Sequence, residues 1–346
     1  MNKMTLDFGL FDHLERLDIP LEQLYAQRLD LIVAAETAGF FCYHLAEHHA
    51  TPLGCAPSPG LFLASVAART HRIHFGPLVY LLPLYDPMRL AEEICMLDQM
   101  SGGRFEVGVG RGASPFELAY FNVNFLQSRA MFDEALQVLV SALRSHRVSY
   151  EGRYYRYADA PLELAPKQNP NPPFWYGASS PSAIAYSARH GMNVVTGGPN
   201  AILKAGFEAY RSMRETSRNS DDDLNPQVAV PKFGGVRHCF VAKTDAEAME
   251  IARPAYRHYY ANITKLWRDF NTVPIIFTDD LDRAIKGEAA IIGSPATVRD
   301  KVTAYAEQSG CNYLVLSFAW GSLTYEHSRR SLDLFASEVM PHFVES

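Results

Sequence analysis

Eight short runs rich in apolar residues alternate along the chain with longer segments of helical periodicity. Several of these runs contain almost no polar residue, which is typical of parallel strands that are buried on both faces. The predicted strands are 4–11, 40–45, 73–80, 104–109, 174–178, 193–196, 236–242 and 312–318. The predicted helices lie near 22–38, 58–70, 87–99, 129–145, 181–190, 200–216, 295–309 and 326–340.

Three of the predicted helices carry clear start signals, in which a capping side chain precedes a proline at the first helical position. These pairs are Asp86–Pro87, Ser180–Pro181 and Ser294–Pro295. Strict alternation of strands and helices predicts a parallel sheet, and eight units predict that the sheet closes into a barrel. We therefore predict an α/β fold with a single TIM (β/α)8 barrel domain over residues 1–346 and insertions, notably 243–293. A doubly wound open sheet is the alternative.

Composition excludes several classes of protein. The 346 residues carry a formal net charge of −6 and show no basic stripe, so nucleic acid is not an expected partner. No run of eighteen apolar residues occurs, and we expect no membrane span. The five cysteines are scattered and never form a CxxC pair, which argues against a disulfide framework or a structural zinc site. This cysteine usage predicts a cytoplasmic protein.

Three histidines and a carboxylate lie within six residues directly after the second predicted strand: His44, Glu47, His48 and His49. The spacing HxxEH is a zinc-protease signature when it lies on a helix. The preceding run FFCYHL predicts a strand, which would not align His44 with His48, so we expect no metal site. Two interpretations remain. The side chains could satisfy loop backbone groups, or an imidazole could stand at the mouth of the barrel, where barrel enzymes keep their catalytic groups.

The segment Gly108–Ser114 is similar to the GxGxxA dinucleotide fingerprint. However, it follows the fourth predicted strand, and no acidic residue ends a strand about twenty residues later. Arg111 also fits poorly in a turn built for bare backbone. A guanidinium suits bidentate binding of a phosphate, with an ordinary surface ion pair as the alternative.

A second anion-binding pattern occurs at Gly177–Ser182, where a strand ends in small residues and a helix begins at a serine cap. The free backbone N–H groups and the positive end of such a helix attract phosphate. An ordinary helix cap is the alternative. In a barrel, Arg111, Arg129 and this turn would lie at the same face. We therefore predict that they share one phosphate.

The order and spacing of several segments resemble those of the bacterial luciferase-like flavin-dependent monooxygenases over almost the whole chain. The segments are AEHH (46–49), LLPLYDPMRLAEEICMLDQMSGGRFEVGVGRG (81–112), SRAMFDEAL (128–136), SSPS (179–182), ARHG (188–191), GSPATV (293–298) and LDLFASEVMP (332–341). The block 81–112 is the most distinctive.

The resemblance implies a TIM barrel that binds flavin mononucleotide (FMN) at its C-terminal mouth. It implies that Arg111, Arg129, Ser180 and the backbone of Ser179 contact the flavin phosphate. By the same resemblance, Leu78 and Val79 would be joined by a cis peptide bond and lie against the isoalloxazine ring.

The resemblance also assigns His48 as the catalytic histidine and 261–292 as a mobile loop that closes over the site. Three positions depart from the luciferase pattern. Gly110 stands in place of a reactive cysteine, Ala183 in place of a threonine, and Gly198 in place of an aromatic residue. These departures argue against light emission and against a long-chain aldehyde as substrate.

The resemblance thus implies a monooxygenase that uses reduced FMN and O2, through C4a-peroxyflavin chemistry, on a small apolar organic substrate. A separate flavin reductase is the expected partner, and we expect a homodimer or a heterodimer with a related subunit. The apolar pocket is predicted to draw on Phe8, Phe11, Leu81, Phe318 and Trp320. Two alternatives are a deazaflavin-dependent oxidoreductase of the same barrel family and a non-catalytic flavin-binding subunit.

Overall fold

The structure, a computed structural model, describes residues 5–274 and 278–344. Residue 4 of the first predicted strand and residues 275–277 of the predicted mobile loop lie outside the described residues. The strands are β1 Asp7–Asp12, β2 Cys42–Leu45, β3 His74–Pro77, β4 Tyr80–Leu81, β5 Val107–Gly110, β6 Arg147–Glu151, β7 Arg156–Pro161, β8 Phe174–Ala178, β9 Asn193–Thr196, β10 Phe233–Val241, β11 Ala290–Gly293 and β12 Tyr313–Ser317.

The helices occupy the intervals between strands. They are α1 Leu21–Ala38, α2 Pro59–Arg69, α3 Pro87–Ser101, α4 Pro115–Tyr120, α5 Ser128–Ser145, α6 Pro181–Arg189, α7 Asn200–Ser217, α8 Asp245–Ile263, α9 Lys265–Asp269, α10 Leu281–Lys286, α11 Pro295–Ser309 and α12 Tyr325–Glu338. The three predicted caps are confirmed, since Asp86, Ser180 and Ser294 each accept a hydrogen bond from a first-turn backbone N–H. None of the described helices is long and apolar enough to cross a membrane.

The parallel strands close into a ring. Neighbours pair in the order β3-β2-β1-β12-β10-β9-β8-β5-β4. A further parallel bridge between Phe75 and Phe105 sets β3 beside the start of β5, so β3 and β4 together serve as one strand of the ring. Eight strand positions result, and the predicted TIM barrel is confirmed. β11 adds a ninth strand, which pairs with the C-terminal half of β10.

Alternation along each strand separates the barrel interior from the helix layer. In β12, Tyr313 and Val315 belong to an interior cluster with Trp175. Leu314 and Leu316 lie in the larger core between the strands and the helices. The interior is therefore filled with side chains at the level of Tyr313, Val315 and Trp175.

The segment 146–173, to which the sequence assigned neither a strand nor a helix, contains the antiparallel hairpin β6–β7. Most side chains of this hairpin are exposed or half-buried, so the run lacks the apolar character that identifies the barrel strands. The predicted insertion 243–293 contains α8, α9, α10 and β11.

A buried carboxylate ties the insertion to the barrel. Glu15, in the loop after β1, accepts hydrogen bonds from Asn262 Nδ2 and from the backbone N–H of Gly321, each at 2.6 Å. Burial raises the pKa of Glu15 to about 7, against the lowering effect of these two bonds and of Arg28. The end of α8 is thus held by a group that titrates near neutrality.

The protonation of Glu15 predicts a pH-dependent stability. Its pKa in the folded protein lies above the ordinary value of 4.5, so the folded state holds a proton that the unfolded chain loses. The corresponding stabilisation is complete below about pH 4.5 and is lost as the pH rises through about 7. We expect Glu15→Gln to remove this dependence. Melting temperatures between about pH 5 and about pH 8 should therefore shift in favour of the variant as the pH rises.

The control is Glu250→Gln, at an exposed position of α8. It should leave the pH profile of the wild type unchanged. A constant difference in melting temperature between wild type and Glu15→Gln across this range would contradict the assignment.

Candidate active site

The middle of the barrel mouth is a surface almost free of side chains. The peptide bond between Leu78 and Val79 is cis, as the resemblance predicted. A Cβ added at Gly110 would lie 2.4 Å from Val79 Cγ2, so the space that a cysteine would need is already filled. At Gly177, on the neighbouring strand, only Val79 Cγ1 comes within 4 Å of such a Cβ. This surface leaves room for a flat ring beside Val79.

Two arginines stand on one side of this surface. The Arg111 guanidinium lies 4.7 Å from the ring centroid of Phe125, and no carboxylate pairs with it among the described residues. Arg129 packs 4.6 Å from the Tyr186 ring and pairs with Asp133 Oδ2 at 2.9 Å. Burial raises the pKa of Tyr176, and both arginines act to lower it. Arg111 and Arg129 therefore both lie near the side chain of Tyr176.

The first turn of α6 lies next to this cationic patch. Ser180 Oγ accepts the N–H of Ala183 at 3.2 Å and lies 3.0 Å from Ser182 Oγ. Ser179, just before it, is exposed. Strands β5 and β8 are adjacent, so Arg111 and Ser180, which follow them, stand at the same rim of the barrel. The structure thus gathers the predicted anion-binding groups on one side of the mouth.

His44 lies within β2, and Glu47, His48 and His49 lie in the loop that follows it, so the segment does not form a helix. His44 faces the barrel interior, where its Nε2 lies 2.8 Å from the Tyr313 hydroxyl. Burial lowers the pKa of His44 to about 3. His44 and His48 therefore do not face a common ion. Within residues 5–274 and 278–344, no group of three His, Cys, Asp or Glu side chains is placed to hold a metal.

His48 is paired with a carboxylate that the sequence analysis missed. Its Nδ1 lies 3.2 Å from Glu117 Oε1, and Glu117 Oε2 accepts the backbone N–H of His49 at 2.9 Å. Because an ionised carboxylate only accepts hydrogen bonds, we assign the proton to Nδ1 of His48. The other ring nitrogen, Nε2, is then left as an acceptor. The His48 side chain is 26% exposed, so this nitrogen is accessible.

The signal for Glu117 was the sequence Ser114-Pro-Phe-Glu117, which has the spacing of a capping box. Ser114 does cap α4, since its Oγ accepts the N–H of Glu117. The Glu117 side chain turns away from the cap and reaches His48, a contact 69 residues distant in sequence. Local spacing predicts the helix start but cannot reveal this long-range partner.

Glu47 and His49 have a different arrangement. Glu47 Oε1 lies 2.9 Å from His49 Nε2, and Oε2 accepts the backbone N–H of Leu81 at 3.0 Å. These bonds attach the histidine loop to β4. His48, together with Leu81 and Trp267, lines a cavity. That cavity has a volume of about 140 Å³.

A larger cavity of about 410 Å³ lies across the mouth, lined in part by Phe11, His13, His238 and Tyr259. Ile263, at the end of α8, lines both cavities. His13 and His238 were not predicted. His13 could have been found from its position just after the first predicted strand, because strand ends meet at the mouth of a barrel, whereas His238 lies inside the seventh predicted strand and carried no such signal.

Burial disfavours the charged forms of both histidines. The His13 ring lies 5.3 Å from the His48 ring, and the His238 ring lies 4.3 Å from that of Tyr259. Burial, reinforced by the nearby His48 and His238, lowers the pKa of His13. Burial also lowers the pKa of His238 to about 4.

The predicted apolar pocket is right in part. Phe11 lines the larger cavity and Leu81 the smaller one. The prediction was wrong for Phe8 of β1 and for Phe318, which follows β12, because both pack against Phe335 of α12. Trp320 lines neither cavity and lies behind His238, with 5.3 Å between the ring centroids.

Comparisons with known proteins agree with this architecture. The sequence profile of the luciferase-like monooxygenase family matches residues 6–312. The chain is 38% identical to uncharacterized protein y4wF of Sinorhizobium fredii, over 97% of this chain and 96% of that one. It is 28% identical to the oxygenase component of the flavin-dependent trigonelline monooxygenase of Acinetobacter baylyi, over 98% and 96% of the two chains.

Solved structures share the fold. Monooxygenase RslO1 from Streptomyces bottropensis superposes with a TM-score of 0.86 at 25% identity, covering 98% of this chain and 100% of that one. The oxygenating constituent of 3,6-diketocamphane monooxygenase from Pseudomonas putida, in complex with FMN, gives 0.80 at 22% identity, with 98% of each chain covered. A coenzyme F420 dependent tetrahydromethanopterin reductase from Methanopyrus kandleri gives 0.70 at 18% identity, with 99% of each covered.

The profile match covers most of the chain, and the ring of strands, the cis peptide bond and the gathered arginines accord with it. The chain belongs to the luciferase-like monooxygenase family.

Proposed function

We propose that the protein is the oxygenase component of a two-component monooxygenase, which takes reduced FMN from a separate flavin reductase and uses O2 on a small organic substrate. The observation that carries the proposal is the meeting of an anion site and a histidine–carboxylate pair at one barrel mouth. Arg111 and the α6 N-terminus lie on one side of the bare surface at Gly110, and His48 with Glu117 lies on the other. The oxygenase component of the Acinetobacter trigonelline enzyme, 28% identical, supports the two-component arrangement.

The residues present fit FMN. Arg111 has no carboxylate partner among the described residues, and the α6 N-terminus adds backbone and serine donors, so a phosphate would complete this charge arrangement. Val79 and the glycines beside it would accept the flat isoalloxazine ring. Ala183 stands where luciferase has a threonine and contributes no hydroxyl. When bound in its reduced form, FMN supplies the reaction with O2.

His48 is proposed as the proton-transferring group. Glu117 holds Nδ1–H, so Nε2 can accept or return a proton at the edge of the smaller cavity. Leu266 and Trp267 lie over this cavity and limit the access of water. Glu117 acts through His48 and is therefore a positioning residue.

Two alternative functions of the site can be distinguished by experiment. The fold is shared with a coenzyme F420 dependent reductase, so a deazaflavin with its own phosphate remains a candidate ligand for the same patch. A non-catalytic flavin-binding subunit is the other alternative. The intact pairing of His48 with Glu117 favours a catalytic chain. A dimer, with itself or with a related subunit, stays a prediction.

The test is a single-turnover assay with chemically reduced FMN, ¹⁸O2 and a panel of small alicyclic and aromatic compounds. We expect incorporation of one labelled oxygen atom into an organic product. NADH alone should support no turnover until a flavin reductase is added. Substrate conversion with reduced F420 and without O2 would establish the deazaflavin alternative. Flavin binding with no oxygenation of any compound would favour the non-catalytic subunit.

Replacing Arg111 should weaken FMN binding through the phosphate alone. We expect Arg111→Ala to raise the Kd for FMN by about tenfold to about a hundredfold, the value of a charge-assisted hydrogen bond. Binding of riboflavin, which lacks the phosphate, should be unchanged. Both are measured by titration of flavin fluorescence.

The matched control is Arg211→Ala, since Arg211 is exposed on α7 and also packs against an aromatic ring, that of Phe207, at 5.7 Å. This variant should bind both flavins as the wild type does. An equal loss of affinity for FMN and riboflavin in Arg111→Ala would contradict the phosphate assignment.

Removal of His48 should separate flavin oxidation from product formation. We expect His48→Ala to lower the rate of product formation by about a hundredfold or more, the usual effect of losing a general acid–base group. FMN should still bind, and hydrogen peroxide should replace the product. Glu117→Gln should give a smaller decrease with a changed pH profile, because the neutral amide no longer fixes the tautomer of His48.

The double variant should be scarcely slower than His48→Ala, since Glu117 acts through His48. Additive losses would show that Glu117 has an independent role. Full coupling of oxygen to product in His48→Ala would remove His48 from the mechanism.

A further inference from the structure

The larger cavity is enclosed by three strands of the ring and by α8. Phe11 of β1, His238 of β10 and Ser317 of β12 face it, and Tyr256 and Tyr259 of α8 cover it. Six of the fourteen described lining residues carry an aromatic or imidazole ring, and a few polar atoms lie among them. Such a cavity suits a small ring compound.

Ser317 carries an unpaired hydroxyl at the base of this cavity. The residue is only 3% exposed, and its Oγ has no hydrogen-bond partner among the described residues. It pairs in register with His238 on the neighbouring strand and continues the inward-facing row of Tyr313 and Val315. A buried hydroxyl without a partner is costly, so its retention points to a ligand atom that completes the bond.

The charges around the cavity exclude ionised ligands. Among the described residues that line it, none is acidic, so an ammonium group would have no counter-ion. The one arginine among the described lining residues, Arg237, directs its guanidinium towards the helix layer, where it packs on Tyr305 and donates to the carbonyl groups of Val236 and Gly198. Burial also lowers the pKa of both histidines, which disfavours their cationic forms. A carboxylate would therefore be buried without a cation.

We propose that this cavity binds an uncharged ring compound that bears a carbonyl group, with Ser317 Oγ–H donating to the carbonyl oxygen and Phe11 and Tyr259 contacting the ring. The proposal rests on the proposed function in that it names the substrate class of the same barrel mouth. It narrows that class from small organic molecules in general to neutral bicyclic or monocyclic ketones and their analogues.

The test compares four probes of one skeleton by calorimetric titration of the intact protein. The probes are 1-tetralone, tetralin, 1,2,3,4-tetrahydro-1-naphthoate and 1-aminotetralin. We expect 1-tetralone to bind most tightly, tetralin more weakly, and the two ionised compounds most weakly. Tighter binding of either ionised compound, or no measurable binding of 1-tetralone, would overturn the proposal.

Ser317→Ala assigns the preference to one hydroxyl. The variant should raise the Kd for 1-tetralone by between about twofold and about tenfold, the value of one net hydrogen bond. The Kd for tetralin should not change. Because the hydroxyl is unpaired in the free protein, the melting temperature should be unchanged or slightly raised. An unaltered preference for 1-tetralone in this variant would also refute the assignment.

Ser331→Ala is the matched control. Ser331 is fully buried on α12, outside the ring, and its Oγ accepts the N–H of Val241 at 2.7 Å. This variant should lower the melting temperature and leave 1-tetralone binding intact, the reverse of Ser317→Ala. These titrations need neither flavin nor O2. Their outcome is therefore separate from that of the oxygenation assay, and either proposal can fail alone.

Discussion

The pairing of β3 with β5 through Phe75 and Phe105 closes the ring, and the positions of all mouth residues depend on this closure. A closed parallel ring brings the C-terminal ends of its strands to one face. Residues from β1, β2, β5, β8, β10 and β12 thereby meet, although they are separated by as many as about three hundred positions in sequence. The same closure fixes which side of each strand is internal, since alternation leaves no freedom of register.

Polar groups inside the ring are paired, and this pairing makes the floor of the site rigid. Trp175 Nε1 donates to Glu106 Oε2 at 2.5 Å, and Glu106 Oε1 lies 2.8 Å from His74 Nδ1. His44 and Tyr313 form a second pair one level away. Buried polar groups that are satisfied in this way specify one arrangement of the interior. Ser317 is the exception, because its hydroxyl has no hydrogen-bond partner among the described residues and is therefore available to a ligand.

The sequence predicts the barrel because its strands are nearly continuous apolar runs and its helices begin with capped prolines. It also predicts that Arg111 and Ser180 lie at the same rim of the barrel, since each comes shortly after the end of a strand. Periodicity fails for Phe8 and Phe318, because an apolar strand that is buried on both faces does not reveal which residues point inward. It fails again for Glu117, whose partner His48 becomes a neighbour only through folding. The polar hairpin β6–β7 lacked the apolar signal altogether.

Ile263 separates the two cavities, and the residue before it, Asn262, is bound to Glu15. One turn of helix is therefore a shared wall, anchored by Glu15 and by Thr51, whose hydroxyl donates to the backbone carbonyl of Asn262. A substitution at Ile263 therefore changes the lining of both cavities. The shape of the cavity beside His48 and the shape of the cavity beside Tyr259 are therefore coupled through this one residue.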